Sequence, residues 1–401
     1  MMEKLSIYIH IPFCVKKCEY CDFYSLCDPD LTAPYVNALI AQIKDFRSEA
    51  KNKPVDTIYF GGGTPSLLSG EDVVRILKTV RSVFRVSDEA EITLEANPGT
   101  LNPENLSAYR AAGINRLSIG LQSADAGELQ RLGRIHTKEE FENSFLLARL
   151  EGFQNINVDI MYAIPDQTEQ TLSDTLDYVI ALEPDHISFY GLRIEPDTPF
   201  GRDETVEAAL PIEDVQADMY LHSVEKLEKA GFLQYEISNF CKPGFECNHN
   251  LKNWKCKDYL GFGPAAHSLF EGTRFSYKKD IDAFIANPLQ RKKLYDSFEV
   301  LETWELAWQF VMLGFRLRLG IDVREYEERF GDDFEARYFD RMAPFIDKQY
   351  ILKTKNGYRL SRRGLLISNY ILSEIIEFEQ EDPEQEESEQ DDSCQEDTEQ
   401  D

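Results

Sequence analysis

The sequence predicts an α/β fold built on a parallel sheet, and two features of the chain support this. Short β-branched runs alternate with amphipathic helical patterns through the first half of the 401 residues, which is typical of βαβ units. Counting the first strand gives about six units, fewer than the eight of a closed barrel. After residue 300 helices and a short hairpin replace this alternation, so we expect a smaller α+β domain there.

The elements follow in a regular order. The first strand is an apolar run at 6–11 that stops at Pro12. Strands are then predicted at 57–60, 90–95, 116–120, 155–160 and 186–190, with helices at 35–49, 71–84, 139–150 and 171–182. The second half adds a helix at 213–230, a strand at 235–239, helices at 304–317, 322–330, 334–347 and 362–376, and strands at 350–353 and 357–360.

The formal net charge is −29, and much of it lies at the C-terminal end. Residues 374–401 carry fifteen Asp or Glu and no Lys or Arg, and almost no apolar residue follows Phe378. We therefore predict a disordered acidic tail at 377–401. The acidity argues against nucleic acid as a partner. No apolar run approaches eighteen residues and no signal peptide pattern is present, so we expect a cytoplasmic protein without a transmembrane segment.

Three cysteines follow the first strand directly. Cys14, Cys18 and Cys21 form a C-x3-C-x2-C loop. Three thiolates at this spacing can hold three irons of a cubane cluster and leave the fourth iron open to a small chelating molecule. Structural zinc sites prefer four closed ligands, and three clustered cysteines cannot all pair as disulfides. The spacing therefore favours an iron–sulfur cluster.

Polar residues follow the predicted strands where each strand ends. Gly61-Gly-Gly-Thr-Pro65 comes after the second strand, and its glycines allow a ligand to approach the backbone closely. Later strands end near Glu95, Gln122 and Asp159. A single such residue is more often a solvated loop residue, but a consecutive series favours a site at the C-terminal rim of the sheet.

The cysteine spacing, with Tyr20 before the last cysteine, resembles the signature of the radical S-adenosylmethionine (SAM) family. The wider sequence Tyr8-Ile-His-Ile-Pro-Phe-Cys14 resembles one branch, which holds the oxygen-independent coproporphyrinogen III oxidases and the HemW-type heme chaperones. The resemblance implies an open six-unit partial barrel and a 4Fe-4S cluster on Cys14, Cys18 and Cys21. It also implies SAM on the open iron, whose reductive cleavage yields a 5′-deoxyadenosyl radical. It assigns to the SAM pocket Tyr8, Tyr20, Gly62, Gly63, Thr64, Glu95, Gln122, Arg134 and Asp159.

A second motif concerns heme. His249-Asn250-Leu-Lys-Asn-Trp254 resembles the HNxxYW element of the chaperone branch, with Asn253 where that branch has Tyr. A histidine can supply an axial iron ligand and a tryptophan can pack on a porphyrin face. The alternative is a packed His–Asn turn without a ligand. We take His249 as the predicted heme ligand.

One position separates the two activities of the branch. The oxidases carry a fourth cysteine two residues after the third, and this chain has Phe23 there. We therefore predict a chaperone that binds a 4Fe-4S cluster, SAM and heme and delivers heme to acceptor hemoproteins such as respiratory enzymes. Transient docking at a membrane is compatible with such acceptors. The alternative is an oxidase that decarboxylates coproporphyrinogen III to protoporphyrinogen IX, so whether the chain is an enzyme stays open, and no catalytic residue is assigned.

The predicted domain organisation has four parts. Residues 1–210 form the radical SAM partial barrel with the cluster loop, and residues 211–300 extend it and carry the HNxxYW-like element. Residues 301–376 form a winged-helix-like C-terminal domain that we expect to act as a lid or docking unit rather than to bind DNA, since its basic residues are matched by acids. The acidic tail follows at 377–401.

Overall fold

The computed structural model describes residues 4–49 and 53–376, and the predicted disordered tail lies outside them. The strands within this range are β1 Leu5–Ile11, β2 Pro54–Gly62, β3 Arg85–Ala96, β4 Arg116–Gln122, β5 Ile156–Tyr162, β6 His186–Gly191, β7 Leu233–Gln234, β8 Asn239–Cys241, β9 Tyr259–Phe262, β10 His267–Phe270, β11 Thr273–Tyr277, β12 Tyr295–Val300, β13 Ile321–Asp322, β14 Ile351–Lys353 and β15 Gly357–Leu360.

The helices in the same range are α1 Thr32–Asp45, α2 Gly70–Val83, α3 Pro103–Ala112, α4 Ala126–Arg131, α5 Lys138–Leu150, α6 Glu169–Ala181, α7 Glu204–Ala208, α8 Glu213–Lys229, α9 Asn248–Trp254, α10 Ile281–Ala286, α11 Arg291–Leu294, α12 Thr303–Gly314, α13 Val323–Phe330, α14 Phe334–Asp347, α15 Arg362–Leu366 and α16 Ser368–Ile375. None of the helices in the described part of the chain has the length and apolar character needed to cross a membrane.

The large sheet has twelve strands in the order β12-β11-β10-β9-β1-β2-β3-β4-β5-β6-β8-β7. Strands β1 to β6 are consecutive neighbours and all parallel. This confirms the predicted six-unit partial barrel. Strand β9 adds a further parallel strand beside β1, and β8 pairs antiparallel with β6 at the other side.

The barrel strands are rich in apolar residues, as expected for strands that are covered on both faces. Six of the seven residues of β1 are buried, which is typical of a parallel strand. Helix α2 presents Val73, Ile76, Leu77 and Val80 to the sheet, at the i, i+3, i+4, i+7 spacing of one helix face. Complete burial of such a side chain stabilises the fold by about 1.5–3 kcal/mol.

The C-terminal part has its own sheet, β13-β15-β14, and its own core. Tyr326 lies at the centre of an aromatic cluster with Phe310 and Phe334. Contacts to the barrel side include Arg329, whose guanidinium donates to the carbonyl oxygens of Lys255 and Cys256. The helices and hairpin predicted after residue 300 are therefore present as an α+β unit.

Two elements predicted as continuous are each divided in the structure, so these predictions were wrong. Instead of one strand at 235–239, the chain forms β7 and β8 with a bend between them, because the Glu236 carboxylate accepts hydrogen bonds from the Ser238 N–H (3.0 Å) and the Asn239 amide. The last predicted helix is divided into α15 and α16, because Ile367 leaves helical backbone angles (φ −112°, ψ 25°).

Candidate cluster and cofactor site

A cavity of about 390 Å³ opens at the C-terminal ends of the barrel strands. The cysteine loop forms one side, and the ends of β2 to β6 form the other. The predicted site residues that line it are Cys14, Cys18, Cys21, Tyr20, Gly62, Gly63, Thr64, Glu95, Gln122, Arg134 and Asp159. Residues far apart in sequence thus meet at the rim where sites of parallel barrels are built.

The cysteine loop is held in place by backbone hydrogen bonds at both ends. The Cys14 N–H donates to the Leu26 carbonyl (2.9 Å), and the Leu26 N–H donates to the Pro12 carbonyl (2.8 Å). In the middle of the loop the Glu19 N–H donates to the Leu132 carbonyl (3.1 Å). The three thiols therefore face the cavity on a closed loop rather than on a free segment.

The donor set around the thiols fits an iron–sulfur cluster. The Thr64 hydroxyl lies 3.6 Å from the Cys14 sulfur, and Nη1 of Arg134 lies 3.6 Å from the Cys18 sulfur. Hydrogen bonds to cluster sulfurs are one of the means by which a protein stabilises such a group.

The glycine turn after β2 brings backbone against the cysteine loop. Gly63 donates to the Ile11 carbonyl (2.8 Å), and Thr64 donates to the Phe13 carbonyl (2.7 Å). A Cβ at Gly63 would stand 2.6 Å from the Phe13 oxygen. Gly62 has φ +113°, which side chains of L-residues rarely adopt. The turn thus requires glycine for both space and conformation.

Two half-buried carboxylates, Glu95 and Asp159, face the cavity. Glu95 accepts hydrogen bonds from the Tyr59 hydroxyl (2.9 Å) and the Gly62 N–H (3.2 Å). Burial, together with the nearby Asp159, raises the pKa of Glu95 to about 7. Asp159 accepts from the Asn157 amide (2.7 Å), and burial also raises its pKa. Arg116 offsets part of the charge of both groups, and because their pKa values are still raised, the cavity suits a ligand that adds positive charge, as SAM does.

The opposite wall is built on Arg134 and Gln122. Nη2 of Arg134 donates to Oδ1 of Asn97 (2.9 Å) and to the Gly120 carbonyl (2.9 Å). Oε1 of Gln122 accepts from the Tyr190 hydroxyl (3.0 Å). Asn97, Tyr190 and Tyr59 also line the cavity, although they were not among the predicted site residues. The sequence pattern pointed to two of them, since Asn97 directly follows a predicted strand and Tyr190 lies at the end of one.

Tyr8 does not line the cavity. It packs behind it, with its ring stacked on Tyr59 (6.3 Å between centroids) and its hydroxyl 3.2 Å from Nδ1 of His10. Tyr8 faces the same side of the sheet as its register partner Tyr59, but it lies three residues before the end of β1, so its ring sits deeper in the barrel than the cavity. The structure therefore brings together the other predicted site residues around the cavity and places Tyr8 one layer behind them.

His249 lies on α9 and is buried, with 3% of its surface exposed. Its Nδ1 is 3.1 Å from the Thr57 hydroxyl, and its ring packs on Tyr59 (5.0 Å between centroids). Burial, with Lys252 and Arg116 nearby, lowers the pKa of His249 to about 3, so the imidazole is neutral. The ring sits between α9 and β2 and does not line the cysteine cavity.

Comparisons with known proteins agree with this geometry. The model of the Radical SAM superfamily matches residues 8–179, and that of the HemN C-terminal domain matches residues 301–367. The heme chaperone HemW of Escherichia coli K12 is 44% identical over 378 residues, which cover 92% of this chain and 98% of that protein. The chain belongs to the HemW family of radical SAM proteins.

Other HemW family relatives are similar over the same span. The heme chaperone HemW of Haemophilus influenzae is 36% identical and that of Bacillus subtilis is 32% identical, each over 92% of this chain and 97% or more of theirs. Among solved structures, the coproporphyrinogen III oxidase HemN of Escherichia coli has a TM-score of 0.82 at 23% identity and covers 93% of this chain and 90% of that chain. That likeness shows the fold, and the family predicted from the cysteine loop is confirmed.

Proposed function

We propose that this chain is a heme chaperone that holds a 4Fe-4S cluster and SAM at the barrel rim and delivers heme to acceptor hemoproteins. The observation that carries the proposal is the similarity to HemW heme chaperones over 92% of the chain, at 44% identity to the Escherichia coli protein. Phe23 supports it as well, because it occupies the position of the fourth cysteine of the oxidases. Its side chain borders the cavity and is 67% exposed.

Cys14, Cys18 and Cys21 would hold the cluster, and the carboxylates of Glu95 and Asp159 would face the cationic groups of SAM. In this superfamily the bound cluster and SAM supply a 5′-deoxyadenosyl radical on reduction. The residues of this chain contribute charge and enclosure: Arg134 donates to Cys18, and the rings of Tyr20 and Tyr190 close the cavity toward β6. Closed surroundings strengthen these electrostatic interactions because water is excluded.

The role of His249 as an axial ligand of heme iron stays a prediction. Because its ring is covered by Thr57 and Tyr59, ligation would require α9 to move away from β2. His249→Ala tests this directly in a heme titration followed by absorbance. A weaker affinity with an intact cluster would support ligation, whereas an unchanged affinity would remove His249 from the heme site.

The acceptors that we propose are cytoplasm-facing hemoproteins such as respiratory enzymes, which the chain would reach by transient docking at the membrane. A cytoplasmic location fits reduced cysteines, and the seven cysteines in the described residues are all free thiols.

The deciding experiment combines two assays on anaerobically reconstituted protein. In the first, SAM, reductant and coproporphyrinogen III are added, and porphyrin products are analysed. In the second, heme-loaded protein is mixed with an apo-hemoprotein, and the acceptor's heme spectrum is followed. We expect intact coproporphyrinogen and transfer of heme. Decarboxylated porphyrin without heme transfer would overturn the proposal in favour of an oxidase.

A further inference from the structure

A second, larger cavity lies where the barrel side meets the C-terminal sheet. This junction cleft has a volume of about 750 Å³ and is bounded by α9, residues 233–235, residues 317–322 and the β14–β15 turn. It shares no lining residue with the cysteine cavity. At about 390 Å³, the cysteine cavity is already required for the cluster and SAM. A heme cargo therefore needs a different place, and the junction cleft has the volume of a small-molecule site.

The walls of the cleft are apolar and incompletely covered. Trp254 lines it from α9, and Leu317 and Ile321 line it from the C-terminal side. Two further leucines at its edge are unusually open to solvent, since Leu319 is 83% exposed and Leu233 is 52% exposed. Apolar side chains exposed together beside a cavity mark a surface that a ligand covers. A flat apolar macrocycle would cover them.

The cleft also contains a buried guanidinium N–H that lacks a hydrogen-bond acceptor in the described residues. It belongs to Nη1 of Arg318. The nearest charges include two of the same sign: burial, then Arg359 and Arg362, lowers the pKa of Arg318, while Glu228 acts in the opposite direction. Glu228 itself is paired with Arg362. A buried guanidinium N–H without an acceptor is costly, and a bound carboxylate would remove that cost.

The acidic residues that line the cleft do not neutralise Arg318 and Arg359. Asp322 caps α13 by accepting from the N–H groups of Arg324 and Glu325. Glu325 accepts from Lys257 (3.3 Å), and Glu246 is the third acid of the lining. In a chain of net charge −29, two arginines that face the same apolar cavity indicate an anionic ligand.

Helix α9 explains why the heme motif and the cleft belong together although His249 is turned away. His249 and Trp254 are five residues apart, which is about 140° around a helix. His249 therefore packs against β2, while Trp254 faces the cleft with Arg316 5.8 Å from the centre of its ring. The aromatic end of the motif is the part that a porphyrin can reach without movement of the helix.

We propose that the junction cleft holds the heme cargo, with the macrocycle against Trp254 and Leu319 and its two propionate carboxylates on Arg318 and Arg359. This inference rests on the proposed heme function and adds a location to it. The lining contains neither His nor Cys, so heme held by its face and its carboxylates keeps its iron open to the ligand of an acceptor protein. In this arrangement His249 is not the axial ligand, and His249→Ala should leave the heme affinity unchanged.

The test is a titration of the full-length protein with heme and with heme dimethyl ester, in which both propionates are blocked. We expect the double variant Arg318→Ala/Arg359→Ala to raise the Kd for heme at least tenfold, while its Kd for the ester matches that of the unaltered protein. Arg85→Ala/Arg193→Ala removes the same charge from exposed positions outside the cleft and should leave both affinities unchanged. Trp254→Ala should raise the Kd for heme and the Kd for the ester by the same factor.

The outcomes separate this inference from the proposed function. If the unaltered protein binds no heme, the proposed function fails. If it binds heme and the Arg318/Arg359 variant binds it equally tightly, the cleft is not the heme site although the function stands. Iron content and cluster absorbance of each variant show whether it is folded, and Arg318→Lys, which keeps the charge, should recover part of the affinity.

Discussion

At the scale of single residues, position in the cysteine loop decides which thiols can serve a cluster. Cys27 follows Cys21 by six residues, yet it is exposed and does not line the cavity that receives the other three thiols. The turn at Leu26 closes the loop before Cys27 is reached. Proximity in sequence is therefore not sufficient for membership of the site.

We predict that Cys18→Ser lowers bound iron from four per chain to below one after anaerobic reconstitution, because the remaining two thiols cannot hold a cubane. Iron and sulfide analysis with visible absorbance measures this. Cys27→Ser is the matched control and should retain the full cluster. Four irons in Cys18→Ser would exclude Cys18 as a ligand.

Glu236 gives a prediction for pH. Burial raises its pKa from 4.5 to about 7. Between these pH values the folded chain keeps a proton that the unfolded chain releases, so this group makes the free energy of unfolding fall as the pH rises, by about 3 kcal/mol in total. In Glu236→Gln that dependence should disappear.

The measurement is urea unfolding of both proteins at pH 4.5 to 8. The difference between the two free energies of unfolding should change with pH in favour of the variant at pH 8. Glu299→Gln, at an exposed position, should run parallel to the unaltered protein. If the free energies of unfolding of Glu236→Gln and the unaltered protein changed in parallel with pH, folding would not raise the pKa of Glu236.

At the scale of elements, the turn that ends β2 determines how closely the barrel approaches the cysteine loop. Gly62 has a positive φ, and a Cβ there would stand 2.5 Å from the His10 ring. His10 is itself fixed, because Nε2 lies 2.9 Å from the Tyr24 carbonyl. The turn therefore joins β1, β2 and the cysteine loop in one rigid unit.

We predict that Gly62→Ala weakens SAM binding about tenfold or more and lowers the free energy of unfolding by about 1–3 kcal/mol, from the left-handed strain and the collision with His10. Gly99→Ala is the control, since Gly99 also has a positive φ (+81°) but nothing lies within 4 Å of its Cβ position. Gly99→Ala therefore introduces the strain of a positive φ but no collision with a neighbouring side chain. SAM affinity by calorimetry should separate the two variants, and equal affinities would show that the close approach at Gly62 has no part in the site.

At the scale of the whole molecule, the two cavities lie on different parts of the fold. One is built on the cysteine loop and the C-terminal ends of β2 to β6, and the other lies where α9 meets the C-terminal sheet. They have no lining residue in common, so a ligand in one has no direct contact with a ligand in the other.

We therefore predict that removal of the cluster leaves heme binding unchanged within about twofold. Heme titrations of cluster-free and reconstituted protein measure this, with near-ultraviolet circular dichroism as a check on the fold. A change of tenfold or more would reveal a coupling of about 1.4 kcal/mol between the sites and contradict their independence.

Much of the fold followed from local patterns in the sequence. The six barrel strands, the cysteine loop and the glycine turn were all predicted, because alternating apolar residues, thiol spacing and glycine runs act over a few residues. The rim residues Glu95, Gln122 and Asp159 could be placed together as well, since parallel strands present their C-terminal ends at one edge.

The sequence by itself thus determined the family, and it predicted the cluster ligands and the position that separates the two branches, since each depends on neighbouring residues. Only the tertiary structure decided that α9 turns His249 toward β2 and Trp254 toward a cleft, and that Arg318 meets Arg359 there. The reason is physical: these placements depend on which distant elements pack together, and packing partners are set by the whole core rather than by any local pattern.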